Sequence, residues 1–130
     1  MMVRRRFIGS TALLGIAGIF GFAKRPIEKP LLHHVFFWLK NPESEADKQK
    51  LIAGLKTLAA IPTIRHIHVG VLASTEKREV VDTSWDVSEL MFFDDEAGQK
   101  VYQDHPLHLA FVKNCSHLWT KVLVYDSIDV

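Results

Sequence analysis

Tyr102-Gln103-Asp104-His105-Pro106-Leu107-His108 brings a phenol and two imidazoles together around a proline that must interrupt the local helix. Such groups move protons near neutral pH. A structural reading stands beside the chemical one. Tyr102 and His108 can instead form a buried hydrogen-bonded pair that pins the helix break to a sheet, with His105 before the proline as a capping residue. The other histidines are less telling. His33 opens an apolar run and is either a pocket group or a satisfied core residue, while His34 and His117 have no partner that sequence can name. His66 and His68 sit at strand spacing, but no carboxylate or third ligand is close in sequence. They read as residues of an exposed face, so neither a metal site nor a cofactor is expected. Cys115 is the only cysteine, which excludes an intrachain disulfide, and its register with Phe111 makes it a buried thiol.

The elements that must position these residues can be read from periodicity. Residues 32–39 are rich in β-formers and apolar on both faces, with Val35, Phe37 and Leu39 on one and Phe36 and Trp38 on the other, as in a strand covered on both sides. Asn41-Pro42 reads as an N-cap with proline at the first helical position, and Glu43 and Glu45 follow in the favourable first turn. Leu51, Ile52, Leu55, Leu58 and Ala59 then recur at helical spacing until Pro62. Strands are expected at 64–72 and 85–93, separated by a polar loop at 74–83. A helix opens at Asp94-Asp95-Glu96, runs toward Gln103 and restarts near Pro106, and a last strand covers 119–126. The order β-α-β-β-α-β is the ferredoxin-like α+β arrangement, a four-stranded antiparallel sheet with helices on one side.

That topology has a consequence. Helices on one face of the sheet leave Phe36 and Trp38 on the other, an apolar surface that a second copy packed sheet to sheet about a two-fold axis would cover. A homodimer is the expectation. Trp38, Trp85 and Trp119 are accordingly core or interface aromatics first and ligand-stacking groups second.

The chain has 130 residues, enough for one domain. Its formal charge of +1 conceals an uneven distribution: six of the 16 basic residues but only one of the 15 acids precede Leu31, which leaves 10 basic against 14 acidic residues beyond it, a net of −4. This segment has no Lys/Arg-rich run, so a nucleic-acid surface has no support. Arg4-Arg5-Arg6-Phe7-Ile8, an uncharged run to Ala23 and then Lys24-Arg25-Pro26 have the layout of an export signal of twin-arginine type. Residues 1–23 are expected to be that signal, or an anchor if uncleaved, with 24–30 a tether and 31–130 the domain. The expected location is outside the cytoplasm, periplasmic or membrane-anchored facing the periplasm, with membrane contact only through an uncleaved segment.

His33-x-Val35-x-Phe37, Ile61-Pro62, Gly70, Trp85-Asp86-Val87 with Phe93, and above all Tyr102-x-x-His105-Pro106-x-His108 with Trp119 resemble the stress-responsive dimeric α/β-barrel (Dabb) family. The resemblance spans about Leu31 to Asp126 and implies a dimeric barrel with a small pocket between sheet and helices in each subunit. It does not imply one activity. In a plant member that cyclises a linear polyketide by aldol condensation, the catalytic histidine falls on His108, the tyrosine that works with it on Tyr102, and a further pocket histidine on His33. Another histidine of that enzyme falls where this chain has Val87. The implied roles are His108 as general base and Tyr102 as donor to a carbonyl oxygen, with His33, Val35, Phe37 and Trp119 contacting the ligand. Three functions follow: a module binding a small apolar or aromatic molecule, a metal-independent lyase, cyclase or monooxygenase-like enzyme, and a structural dimer without ligand.

Overall fold

A computed structural model describes residues 25–130 of the chain, so the expected export signal and the first residue of the tether lie outside the described residues. Strand β1 (Leu31–Leu39) is followed by α1 (Glu45–Thr57), β2 (His66–Gly70), β3 (Val87–Phe93), α2 (Glu96–Asp104), α3 (Pro106–Cys115) and β4 (Trp119–Ile128). The four strands form one antiparallel sheet in the order β2-β3-β1-β4, the ferredoxin-like arrangement. Among the described residues no helix is long and apolar enough to cross a membrane.

Alternation along β1 builds the core. Leu31, His33, Val35, Phe37 and Leu39 are buried, while Leu32, His34, Phe36 and Trp38 on the opposite face are half-buried. Against the inward row lie Leu51, Leu55 and Leu58 from α1 and the turn after it, and Val87, Met91 and Phe93 from β3, all inaccessible to solvent.

Boundaries moved where local chemistry competed. Asn41-Pro42 does not start α1. The Ser44 N–H donates to the Asn41 carbonyl at 2.9 Å, closing a turn with proline in its second position, and the Ser44 hydroxyl accepts the Asp47 N–H at 3.2 Å as the true N-cap. β2 is shorter than expected: its pairing with β3 ends at Gly70 opposite Ser88, and β3 itself begins at Val87, so Leu72 has no β3 residue opposite it. β3 in turn loses Trp85 and Asp86. The Trp85 indole donates to the Asp82 carbonyl at 3.1 Å, and the Asp86 carboxylate accepts the Leu39 N–H at 2.8 Å, tying the loop to the end of β1. β4 runs two residues past Asp126, with Ile128 opposite Leu31.

The break between α2 and α3 falls where expected. His105 is extended at ψ 139, the conformation a following proline imposes, and caps both helices. Its N–H donates to the Tyr102 carbonyl at 3.1 Å, and its Nδ1 accepts the Leu107 N–H at 3.1 Å.

Gly54 marks the tightest helix contact. A Cβ there would lie 2.7 Å from the Cys115 sulfur and 3.2 Å from the Phe111 ring, so α1 and α3 meet without room for a methyl group. Gly54→Ala should therefore lose about 1–3 kcal/mol to overpacking, where an open helical site would gain about 1 kcal/mol. Urea unfolding measures it, and Cys115→Ala in the same chain should recover most of the loss; a stabilised single variant would disprove the close packing.

Candidate functional site

Period two on β1 directs His33, Val35 and Phe37 toward the helices, and pairing carries this row across the sheet. Val35 is opposite Glu89 on β3 and Val124 on β4; Phe37 is opposite Val87 and Val122; His33 is opposite Met91 and Asp126. α1 and α2 pack on β1, β2 and β3, whereas β4 packs chiefly on β1. A cavity of about 210 Å³ remains between the β1–β4 half of the sheet and the α2–α3 corner, with Val122 and Val124 partly exposed along its open side. Phe37, Phe111 and Trp119 form its aromatic end, with ring centroids 5.0–6.4 Å apart. A larger depression of about 340 Å³ borders the chain at Arg25–Lys29, but none of its lining groups is buried.

The proline break delivers the polar groups. Tyr102 closes α2 and His108 opens α3, and the reversal between them brings the two rings to 4.6 Å, with Tyr102 also 5.5 Å from His33. The two are not hydrogen-bonded partners in the way the structural reading supposed. The Tyr102 hydroxyl donates to Glu89 Oε1 at 3.1 Å, and His108 Nδ1 lies 2.9 Å from the Gln103 carbonyl oxygen. A carbonyl can only accept, so Nδ1 carries the hydrogen and Nε2 is the basic nitrogen of the neutral ring. Burial holds His108 below the usual imidazole range, opposed in part by the Gln103 carbonyl and reinforced by His33. His33 Nδ1 meets Asp126 Oδ1 at 2.6 Å, a contact set by their pairing across β1 and β4.

Glu89 is the group that sequence reasoning missed. It is 1% exposed, and burial pushes its carboxyl up from 4.5 to about 7, with the Tyr102 hydrogen bond pulling the other way. Burial also raises the Tyr102 phenol, and the Glu89 charge raises it further, so Tyr102 remains the hydrogen donor. A signal was present. Val87, Glu89, Met91 and Phe93 share one face of β3, and an acid inside such an apolar row is out of place unless it serves the interior.

Tyr102, His108, His33, Val35, Phe37 and Trp119 are thus brought together, joined by Glu89 and Gln103. His105 is a cap; His66 and His68 lie exposed on the edge strand; His34 faces away from the cavity, held low by burial and by His68. Cys115 is buried, and burial raises its thiol. Among the described residues no three His, Cys, Asp or Glu groups converge as a metal site.

The sequence model of one protein family, the stress responsive A/B barrel domain, matches residues 31–129. The chain belongs to that family. Its fold is shared with a Dabb family protein with a ferredoxin-like fold from Mesorhizobium loti, at 25% identity over 79% of this chain and 99% of that one, with a TM-score of 0.64. A dimeric ferredoxin-like protein of unknown function from Thermobifida fusca aligns at 20% identity over 80% and 95% of the two chains, TM-score 0.65. The hydroxynitrile lyase from Passiflora edulis aligns at 21% identity over 81% and 96%, TM-score 0.65. No curated protein matches the chain.

The raised Glu89 carboxyl has a measurable consequence. Between about 4.5 and 7 the folded chain holds a proton there that the unfolded chain has released, so this group makes stability fall as pH rises through that window. The full cost, about 3 kcal/mol, is present above it. Urea unfolding across the window should show a shallower decline for Glu89→Gln than for the wild type; identical slopes would mean Glu89 ionises normally.

Proposed function

We propose that the domain binds a small apolar or aromatic molecule in the cavity between β1, β4 and the α2–α3 corner. One observation carries this reading: the cavity combines an aromatic end at Phe37, Phe111 and Trp119 with a polar wall of His33, Glu89, Tyr102 and His108. That is the composition of a site that excludes water around a ligand body and orients it through a few polar atoms. Its volume of about 210 Å³ lies below the roughly 300–1,000 Å³ of drug-sized sites, which favours a ligand built on a single ring. Val124→Trp, which fills the cavity from its open side, should abolish binding while leaving the unfolding transition in place. Ligand-observed NMR against a set of single-ring compounds reads this out, and unchanged binding in the variant would move the ligand elsewhere.

A second reading, proton-transfer catalysis of the lyase or cyclase type, is favoured by the state of His108. Burial keeps the ring neutral, and the Gln103 carbonyl holds Nδ1–H, so Nε2 is free to take a proton from a carbon beside a carbonyl. The Passiflora edulis neighbour, a hydroxynitrile lyase, supports the compatibility of this frame with lyase chemistry. Tyr102 can offer its hydrogen to a substrate oxygen only when Glu89 is itself protonated, since the ionised carboxylate claims it. Activity should therefore fall as pH rises past about 7, and fall again at low pH as His108 charges. Hydrogen–deuterium exchange into a small diketone, followed by NMR, should drop about 10²–10⁴-fold in His108→Ala. Unchanged exchange in that variant would eliminate the catalytic reading and leave the binding one standing.

We also propose that the domain works as a homodimer outside the cytoplasm. Phe36, Trp38, Leu123 and Tyr125, with Trp85 from the loop before β3, line the sheet face that none of the described helices covers, and the Thermobifida fusca neighbour is itself dimeric. Leader layout at residues 4–8 supports export. Phe36→Asp should convert the dimer to monomer in sedimentation velocity; a wild-type chain sedimenting as a monomer at working concentration would overturn the assembly.

A further inference from the structure

We propose that the cavity is selective for a protonated amine carried on an aromatic or compact apolar body, with Glu89 as the carboxylate that pairs with the ammonium group. This deepens the binding reading above and rests on it.

Glu89 has no cationic partner among the described residues. Glu89 is 1% exposed and lines the cavity, and the Tyr102 hydroxyl is the side-chain donor that satisfies it. Among the described residues the ion pairs are His33 with Asp126, Arg65 with Asp94 and Lys100 with Asp104, so no lysine or arginine neutralises Glu89. A buried carboxylate without a cation must either hold a proton or receive the cation from outside.

The surroundings suit the second outcome. Phe37, Phe111 and Trp119 offer an apolar aromatic end to the body of the ligand, and the Tyr102 ring beside the carboxylate can attract an alkylammonium ion. The other titratable groups facing the cavity are His108, His33 and Tyr102. Burial disfavours the charged form of His108, with the Gln103 carbonyl and Asp104 acting on it in the opposite sense, and His33 Nδ1 is turned to Asp126 Oδ1 at 2.6 Å. The Tyr102 phenol stays protonated and supplies one hydrogen bond to the carboxylate, leaving its remaining lone pairs for an ammonium donor. A neutral ring compound would fill the same volume but leave the carboxyl protonated. An anionic one would meet a buried carboxylate of like charge.

Benzylamine, benzyl alcohol and benzoate separate these cases, because they share one ring and differ in the charge of one substituent. In isothermal titration calorimetry of the purified protein at about pH 8, above the Glu89 midpoint near 7, benzylamine should bind at least about tenfold more tightly than benzyl alcohol, and benzoate most weakly. The preference for the amine should shrink about tenfold on lowering the pH to about 6, as Glu89 takes up its proton. Protonation of His108 acts in the same direction, so Glu89→Gln assigns the effect. That variant should lose the preference while still binding benzyl alcohol.

The wild type alone supplies a second readout. Near pH 7 benzylamine binding should release a proton from the Glu89 carboxyl, seen as a binding enthalpy that varies with the ionisation enthalpy of the buffer. Equal affinities for benzylamine and benzyl alcohol, or an amine preference retained in Glu89→Gln, would overturn the inference and leave the pocket reading intact. Absence of binding by all three probes would overturn the pocket reading and this inference with it.

Discussion

Alternation along β1 is the constraint on which the rest of the molecule depends. The strand is paired on both sides, by β3 and β4, and its odd-numbered residues supply both the centre of the core and one wall of the cavity. Because successive side chains must project to opposite faces, placing His33, Val35 and Phe37 inward commits Phe36 and Trp38 to the uncovered face. A slip of one residue would exchange the two sets, so apolar pressure from α1 and β3 against Val35, Phe37 and Leu39 also holds the histidine in place. The register then carries the effect outward, setting Glu89 and Val124 beside Val35 and Asp126 beside His33.

The second determinant is the interruption of the last helix. A continuous helix from Glu96 to Cys115 would separate Tyr102 and His108 by six residues, more than one and a half turns, and turn them to different sides. Pro106 prevents this by forcing His105 into extended backbone, and the resulting corner brings the two rings to 4.6 Å, tilted by 51°. His105, the most prominent histidine of the motif by position, thereby serves the backbone. His108 inherits the cavity.

The uneven coverage of the sheet explains why there is a cavity at all. α1 closes over β2 and β3, while the corner of α2 and α3 stands above β1, and among the described residues β4 packs chiefly on β1. The space is bounded by aromatic rings at one end and crossed by the Glu89–Tyr102 hydrogen bond at the other. Burying that carboxyl costs stability, and a fold under pressure only to be stable would have no reason to keep an acid in a row with Val87, Met91 and Phe93. Functional sites are where such local rules are broken.

Sequence by itself determined the order of elements, the amphipathic face of α1, the two-faced character of β1, the break at Pro106 and the nearness of Tyr102 to His108, because these follow from periodicity and backbone chemistry acting over a few residues. It misplaced the start of α1 and the ends of β2, β3 and β4, where a turn closed by Ser44, a short partner strand or an Asp86 contact outweighed local preference. Only tertiary structure decided which partners the polar groups have. Glu89 precedes Tyr102 by 13 residues and His33 precedes Asp126 by 93, and neither pairing is fixed until strand register and helix docking are. A carboxyl's charge depends on what surrounds it in space, and its distance along the chain carries no information about that.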